Sequence, residues 1–205
     1  MEKVSEERKK FMRFIDATYT PKMVYYPACG ADRVPKNVFG ADRVTHLSLP
    51  ENEPIEHYLA RLGDGIKILG NMENSPLADE SVDLIWLNLH GLNLSPKTLA
   101  DFDRVLRKGG YVVIEELHRN KREEWAAILE KFPDYQKVDL PPEFQPGRVK
   151  YGVMKDLSSD GRYEGEIVEG EYVNSEDEMI DIVTSQKEFR GFENILDQAV
   201  FKKKK

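Results

Sequence analysis

The sequence predicts an α/β fold built on a doubly wound, mostly parallel sheet, with helices on both faces giving three layers. Two observations carry that expectation. Strand-like apolar runs alternate with segments of helical period from the N-terminus to residue 117, the order that parallel strands with crossover helices require. The runs "GIKILGNM" and "SVDLIWLNLH" are short and apolar, the second nearly continuous in Val, Leu, Ile and Trp, as in strands covered on both faces; a half-exposed strand would alternate.

Residues 1–20 hold an N-terminal helix: between Glu2 and Ala17, Val4, Phe11, Phe14 and Ile15 fall near one face and Lys, Arg and Glu fill the other. "KMVYY" follows as a first strand by its Val and Tyr content, broken by Pro27. "VPKNVFGA" carries Pro35 and Gly40 and has room for about two turns of helix. "RVTHLSL" is a second strand, stopped by Pro50. Ile55, Tyr58, Leu59 and Leu62 then recur at helical spacing between the Pro50–Pro54 cluster and Gly63. "GIKILGNM" and "SVDLIWLNLH" are the third and fourth strands. Ser95 as N-cap and Pro96 at the first helical position open a helix that buries Leu99, Phe102, Val105 and Leu106 and ends at Gly109–Gly110. "YVVIEEL" is the fifth strand. Residues 21–117 are thus the core of the fold, and a ligand is expected beyond the C-terminal ends of its strands.

After Leu117 the pattern loosens. "KREEWAAILEKF" reads as a helix, "RVKYGVMKDL" as a strand, "SEDEMIDIVTSQKEF" as a helix with Ser175 as N-cap, and "ILDQAVFKKK" as a closing strand. "SSDGRYEGEIVEGEY" reads as a glycine-interrupted hairpin or a mobile acidic loop, and residues 158–176 are expected to form a flexible insertion within the C-terminal part, 118–205. The length, 205 residues, suits one domain with a sizeable core. A net charge of −7 makes nucleic acid an unfavourable partner, and "KKKK", Lys202 to Lys205, reads as a solvated, frayed tail. The N-terminus has no uninterrupted apolar stretch and no run is long enough to span a bilayer, so a cytoplasmic address is expected, without a membrane. The single cysteine, Cys29, excludes an internal disulfide and reads as a small buried residue in a turn; no metal site is expected. Oligomeric state is left open.

Three stretches carry a resemblance. "TLADFDRVLRKGGYVVIEE" presents Arg104-Val105-Leu106 and Lys108-Gly109-Gly110. "ILGNMENSPLADESVDLIWLNL" presents Leu77, Ser81 and Asp83 ahead of the fourth strand. "MVYYPACGADRVP" presents the pair Cys29-Gly30 after the first strand. Together they resemble the class I S-adenosylmethionine-dependent methyltransferases of the small-molecule type. The first matches their "RVLKPGG" pattern except for the proline, the second their approach to strand four, and the third only the centre of their glycine-rich turn. The resemblance covers residues 20 to 117 and, more loosely, "GFENILDQAVFKKK", and it implies a Rossmann-like methyltransferase fold.

What it implies about the site follows residue by residue. The turn after strand one, Pro27, Ala28, Cys29, Gly30, Ala31 and Asp32, would meet the methionyl and ribose parts of S-adenosylmethionine; small residues let backbone N–H groups approach, and Asp32 is placed to accept from the ammonium. The ribose position, acidic in the family, falls at Ser48, a weaker partner for a diol than a carboxylate. Asn71 and Met72 match the adenine side, and Asn88 stands at the mouth after strand four. Should the acceptor need to lose a proton, His90, Glu115 or His118 lies near a strand end. "NLHGLNL" departs from the run that the family's amino-methylating nucleic-acid enzymes carry there, which favours a small-molecule acceptor.

Two functional readings result. One is a methyltransferase that transfers a methyl group to a small molecule. The other is a methyltransferase-fold protein that has lost catalysis and works as a binding or regulatory module, suggested by the missing glycines and the missing ribose carboxylate. "PACGAD" fits the G-x-G-x-x-G turn of a dinucleotide dehydrogenase too poorly for that third class.

Overall fold

The computed structural model describes residues 2–27, 32–48, 54–88, 95–116, 134–144, 149–154, 167–173, 192–193 and 197–204. Helix α1 (Glu2–Tyr19) leads into β1 (Val24–Pro27), and α2 (Val34–Phe39), β2 (Val44–Ser48), α3 (Ile55–Leu62) and β3 (Ile66–Leu69) follow. Beyond a long turn come β4 (Val82–Asn88), α4 (Pro96–Val105) and β5 (Leu106–Glu116). The seven-stranded sheet has the order β3-β2-β1-β4-β5-β10-β6, with β6 at Tyr135–Lys137 and β10 at Asp197–Lys203. Strands β3, β2, β1, β4 and β5 are parallel, and β10 is antiparallel to both β5 and β6. The expected doubly wound sheet is present, with the C-terminal strand β10 lying between β5 and the edge strand β6.

Two apolar layers hold it. On one face Phe11, Met12 and Ile15 of α1 and Phe39 of α2 pack on Val24, Tyr26, Val44, Leu84, Trp86, Val113 and Val200. On the other, Leu99, Phe102 and Val105 of α4 pack on Tyr25, Leu47, Ile85, Leu87, Val112, Ile114 and Phe201. The alternation of partners along β4 explains its continuous apolar sequence: Leu84 and Trp86 face one layer, Ile85 and Leu87 the other. Burying a side chain of this kind stabilises by about 1.5–3 kcal/mol relative to leaving it exposed.

Several expectations need correcting. Helix α4 opens at Ser95, whose hydroxyl accepts from the Thr98 N–H, but it ends at Val105; Leu106 is already extended. A parallel ladder resumes beside β4 with a register shift between Val82 and Leu84, so Gly109–Gly110 is a corner within β5. The lysine run is not a free tail. Lys202 and Lys203 belong to β10, and Lys203 Nζ donates to the carbonyls of Asp103 (2.5 Å) and Leu106 (3.2 Å), where α4 ends and its dipole favours a cation. Within the expected flexible insertion 158–176, Ile167–Val173 is a strand, β8, paired antiparallel with β7 (Val149–Met154); β7 also pairs with β9 (Phe192–Glu193). Gly152 faces Gly170 across the β7–β8 pair. The helices expected in "KREEWAAILEKF" and "SEDEMIDIVTSQKEF" lie outside the described residues. No helix among those described is long and apolar enough to cross a membrane.

The corner before the main run of β5 separates two reasons for glycine. Gly109 has φ +76° and open space around a would-be Cβ, whereas a Cβ on Gly110 would meet Leu106 Cδ1 at 2.7 Å, Arg107 O at 2.9 Å and Asp83 O at 3.0 Å. Gly109→Ala is expected to cost about 1–2 kcal/mol through its left-handed backbone. Gly110→Ala should cost about 3 kcal/mol, because two of the opposing atoms are main-chain oxygens, Arg107 O in β5 and Asp83 O in β4, and neither can move without shifting its strand. Chemical denaturation of both variants measures the difference; equal losses would mean that the close approach relaxes freely.

Candidate functional site

Because β1 to β5 run parallel, their C-terminal ends share one edge of the sheet, and the chain reverses direction across the sheet between β1 and β4. That crevice is where open α/β sheets bind ligands. Pro27 ends β1, Ser48 ends β2, Asn71 and Met72 follow β3, Asn88 ends β4 and Glu115 sits one residue from the end of β5. The fold therefore brings these sequence-predicted residues, with Asp32, to a common edge. Ala28, Cys29, Gly30, Ala31, His90 and His118 lie outside the described residues. Among the described residues no group of three His, Cys, Asp or Glu is placed to hold a metal ion.

The turn after β3 is held from below. Asn71 Oδ1 accepts the Glu73 N–H at 2.9 Å, and Asn71 O accepts the Asn74 N–H, which closes the turn on itself. Glu73 then accepts from the Ser95 hydroxyl at 2.5 Å, tying the turn to the N-cap of α4. Ser75 donates to Asp101 at 2.6 Å through its hydroxyl, and Arg104 reaches Asp101, Asp79 and the carbonyls of Ser75 and Leu77, all at 2.7–2.9 Å by its Nη atoms. The "RVL" arginine thus serves to lash the β3–β4 connection to α4. Asp83, the second residue of β4, accepts the N–H groups of Lys22 and Met23 at 2.7 Å each and pairs with Arg107. It fixes the entry to β1. Met72 packs partly buried against the core layer of Tyr25 and Leu47.

A second network fills the opposite face of the strand ends. Arg8, 9% exposed, projects from α1; its Nε donates to Glu115 Oε2 at 2.7 Å, Nη1 to Asp32 Oδ2 at 2.5 Å and Nη2 to the Tyr26 hydroxyl at 3.2 Å. Tyr26 donates to Asp32 Oδ2 at 2.7 Å, Trp86 Nε1 donates to Glu115 Oε2 at 2.9 Å, and the Val34 N–H donates to Asp32 Oδ1 at 2.8 Å. Burial alone would lower the Arg8 pKa, but the surrounding Glu115, Tyr26 and Asp32 outweigh it and hold the guanidinium charged. Burial raises the Glu115 pKa, with Arg8 and Trp86 opposing it. Glu115 is 1% exposed. A proton acceptor for substrate has to reach solvent or ligand, so this carboxylate does not match the role expected of it: its Oε2 is committed to Arg8 and Trp86 inside the sheet–helix layer.

Arg8, Tyr26 and His46 are buried polar residues near these strand ends that the sequence reading missed. Arg8 counted as one charge on the polar face of α1, and nothing in a helical period separates an inward arginine from its solvated neighbours. Tyr26 and His46 occupy alternate, inward positions at register partners on β1 and β2, a hint that polar residues had entered an otherwise apolar face. His46 is 1% exposed, and neither ring nitrogen has a hydrogen-bond partner among the described residues; its ring meets that of Tyr26 edge-on at 5.8 Å. Burial, then the nearby Lys36, lowers its pKa to about 4.

That depression sets a pH dependence. Below about pH 6.5 the unfolded chain takes up a proton that the folded His46 refuses, so its contribution is intact above that pH and is lost as pH falls toward 4, to a limit of about 3 kcal/mol. His46→Phe should therefore match or exceed wild-type stability at pH 7, since two unpartnered polar atoms are removed, and lose less stability between pH 7 and 4.5. Denaturant titrations at both pH values test this. Parallel pH profiles for the two proteins would show that His46 finds a partner when protonated.

Comparison with known proteins agrees with this architecture. Residues 27–114 match a family model described as a methyltransferase domain. No curated protein matches the sequence significantly. Among solved structures, an S-adenosylmethionine-dependent methyltransferase from Thermotoga maritima is 15% identical over 98% of this chain and 92% of its own, with a TM-score of 0.53. One from Methanococcus maripaludis is 12% identical over 67% of this chain and 82% of its own, at 0.51. A Haloferax volcanii complex of a methyltransferase activator with a methyltransferase is 12% identical over 98% and 96%, at 0.53. At these identities the structures attest the fold, and the match over 27–114 attests the domain type. Strand order and the match over residues 27–114 together show a methyltransferase-like α/β fold for the core of this chain.

Proposed function

We propose that this protein is an S-adenosylmethionine-dependent methyltransferase that acts on a small molecule. The observation that carries the reading is the turn at Asn71–Met72, built at the C-terminal edge of the sheet and lashed to α4 through Glu73, Asp101 and Arg104. Such a turn suits a purine: Asn71 Oδ1, already holding one N–H, keeps a second lone pair for an amino group, and the half-buried Met72 offers an apolar surface to a ring. Pro27 with Ala28, Cys29, Gly30 and Ala31 would take the methionyl side, Ser48 the ribose and Asn88 the mouth. Asp32 fits less well than its sequence position suggests, since three donors already occupy its carboxylate. The bound cofactor would supply an electrophilic methyl group on a sulfonium. These residues would contribute alignment and exclusion of water, which suffice for an in-line displacement without an obligatory base. A net charge of −7 favours a small acceptor over a polyanion.

The same occupancy of Asp32 favours a second reading, a binding or regulatory module, because it removes one of the few charged groups available to a cofactor ammonium. Calorimetric titration with S-adenosylhomocysteine separates the two. Weak binding is expected of the wild type. Ser48→Asp should strengthen it by on the order of 1.5–3 kcal/mol per bond to the ribose diol at best, less the cost of desolvating the carboxylate. Unchanged affinity in a folded Ser48→Asp protein would mean that the ribose position lies elsewhere, and absence of binding by both proteins would favour the module.

A further inference from the structure

We infer that Arg8 is a positioning residue: from the N-terminal helix it fixes both flanks of the turn that follows β1, so that cofactor affinity depends on a side chain remote from the cofactor. The inference rests on the methyltransferase reading for its second half only. Residues 28–31 are bracketed by Tyr26, the penultimate residue of β1, and Asp32, two residues before α2. These flanks are joined to each other through the Tyr26 hydroxyl and Asp32 Oδ2 at 2.7 Å, and Arg8 binds both. The remaining direction of the guanidinium is spent on Glu115 at 2.7 Å, and β5 is anchored in turn by ladders to β4 and β10. Arg8 therefore refers the positions of Tyr26 and Asp32 to β5.

The charges make the arrangement hard to replace. Asp32 and Glu115 are two acidic groups served by the same guanidinium, the second fully enclosed and the first with a side chain 20% exposed. Without Arg8 they would face one another across a buried space with no cation, and the flank that can retreat is Asp32, since Glu115 is locked in the ladder. Retreat of Asp32 also withdraws the acceptor from the Val34 N–H and so loosens the start of α2. A lysine keeps the charge but presents a point in place of three divergent N–H directions.

Two readouts test this in Arg8→Met. The Val34 amide should exchange about tenfold faster than in the wild type while the amides of β4 remain as slow. S-adenosylhomocysteine affinity, measured by calorimetry on the folded protein, should fall about tenfold. Asp32→Asn should reproduce both effects, and the double variant should lose little more than either single one, the non-additivity of groups acting as a unit. A purely structural arginine would instead lower the melting temperature and leave affinity and Val34 exchange in place, and that result, or additive losses, overturns the inference. Should Arg8→Met fail to fold, Arg8→Lys is expected to show the same two shifts in smaller measure, and wild-type values in it overturn the inference equally. If the wild type itself binds no cofactor, the methyltransferase reading fails separately, and the Val34 exchange still decides whether Arg8 holds the turn.

Discussion

The contact on which the upper half of the sheet depends is the buried ion pair between Arg8 and Glu115. A carboxylate at 1% exposure has given up its hydration, and only a cation with good hydrogen-bond geometry compensates for that loss. The pair does not have to be more stabilising than two apolar residues of the same volume to be decisive. Once Glu115 is in the sequence, removing its partner costs on the order of 3–5 kcal/mol, so α1 has one acceptable placement over the sheet. Phe11, Met12 and Ile15 supply the adhesion of that helix, and Arg8 sets where along the sheet it is applied.

The ion pair belongs to a gradient along one face. Toward the start of the strands this face is Val24, Val44, Leu84 and Val200; toward their ends it becomes Tyr26, His46, Trp86, Glu115 and Gln198. Apolar residues suffice where strands need only to stay together. Polar ones appear where the chain leaves the sheet and turns must be held in place, and there each polar atom has to be answered by another. Most are answered, but His46 and the second oxygen of Glu115 have no hydrogen-bond partner among the described residues. Unsatisfied polar atoms are tolerated where a fold has reason to carry them, and here they cluster toward the C-terminal edge of the parallel strands, the edge at which open α/β sheets bind ligands.

Much of this architecture was legible in the sequence. The apolar runs marked β3 and β4, although β3 is an exposed edge strand and only β4 is covered on both faces as expected; Ser95 and Pro96 marked the opening of α4, and the alternation of element types led to a parallel sheet. Local signals failed where a long-range contact decided. A lysine run is a tail by composition, yet Lys203 finds the end of α4 and β10 continues through it. A glycine pair marks a helix stop by convention, yet this one is a corner whose second member is demanded by the Asp83 carbonyl across the β4–β5 ladder. Within the candidate site, Pro27, Ser48, Asn71, Met72 and Asn88 fall at the strand ends because topology alone puts them there. Arg8 and the committed state of Asp32 were hidden, because their meaning lies in partners 24 and 107 residues away.

That network holds the residues on either side of the unusual first turn. A glycine-rich turn lets a ligand approach by leaving out side chains, and its shape comes from backbone conformations that only glycine adopts easily. This chain keeps the small residues Ala28, Gly30 and Ala31 but places Tyr26 and Asp32 on either side and bonds them together beneath. The two flanks are then held by side chains. That arrangement ties Tyr26 and Asp32 to the seating of α1 through Arg8.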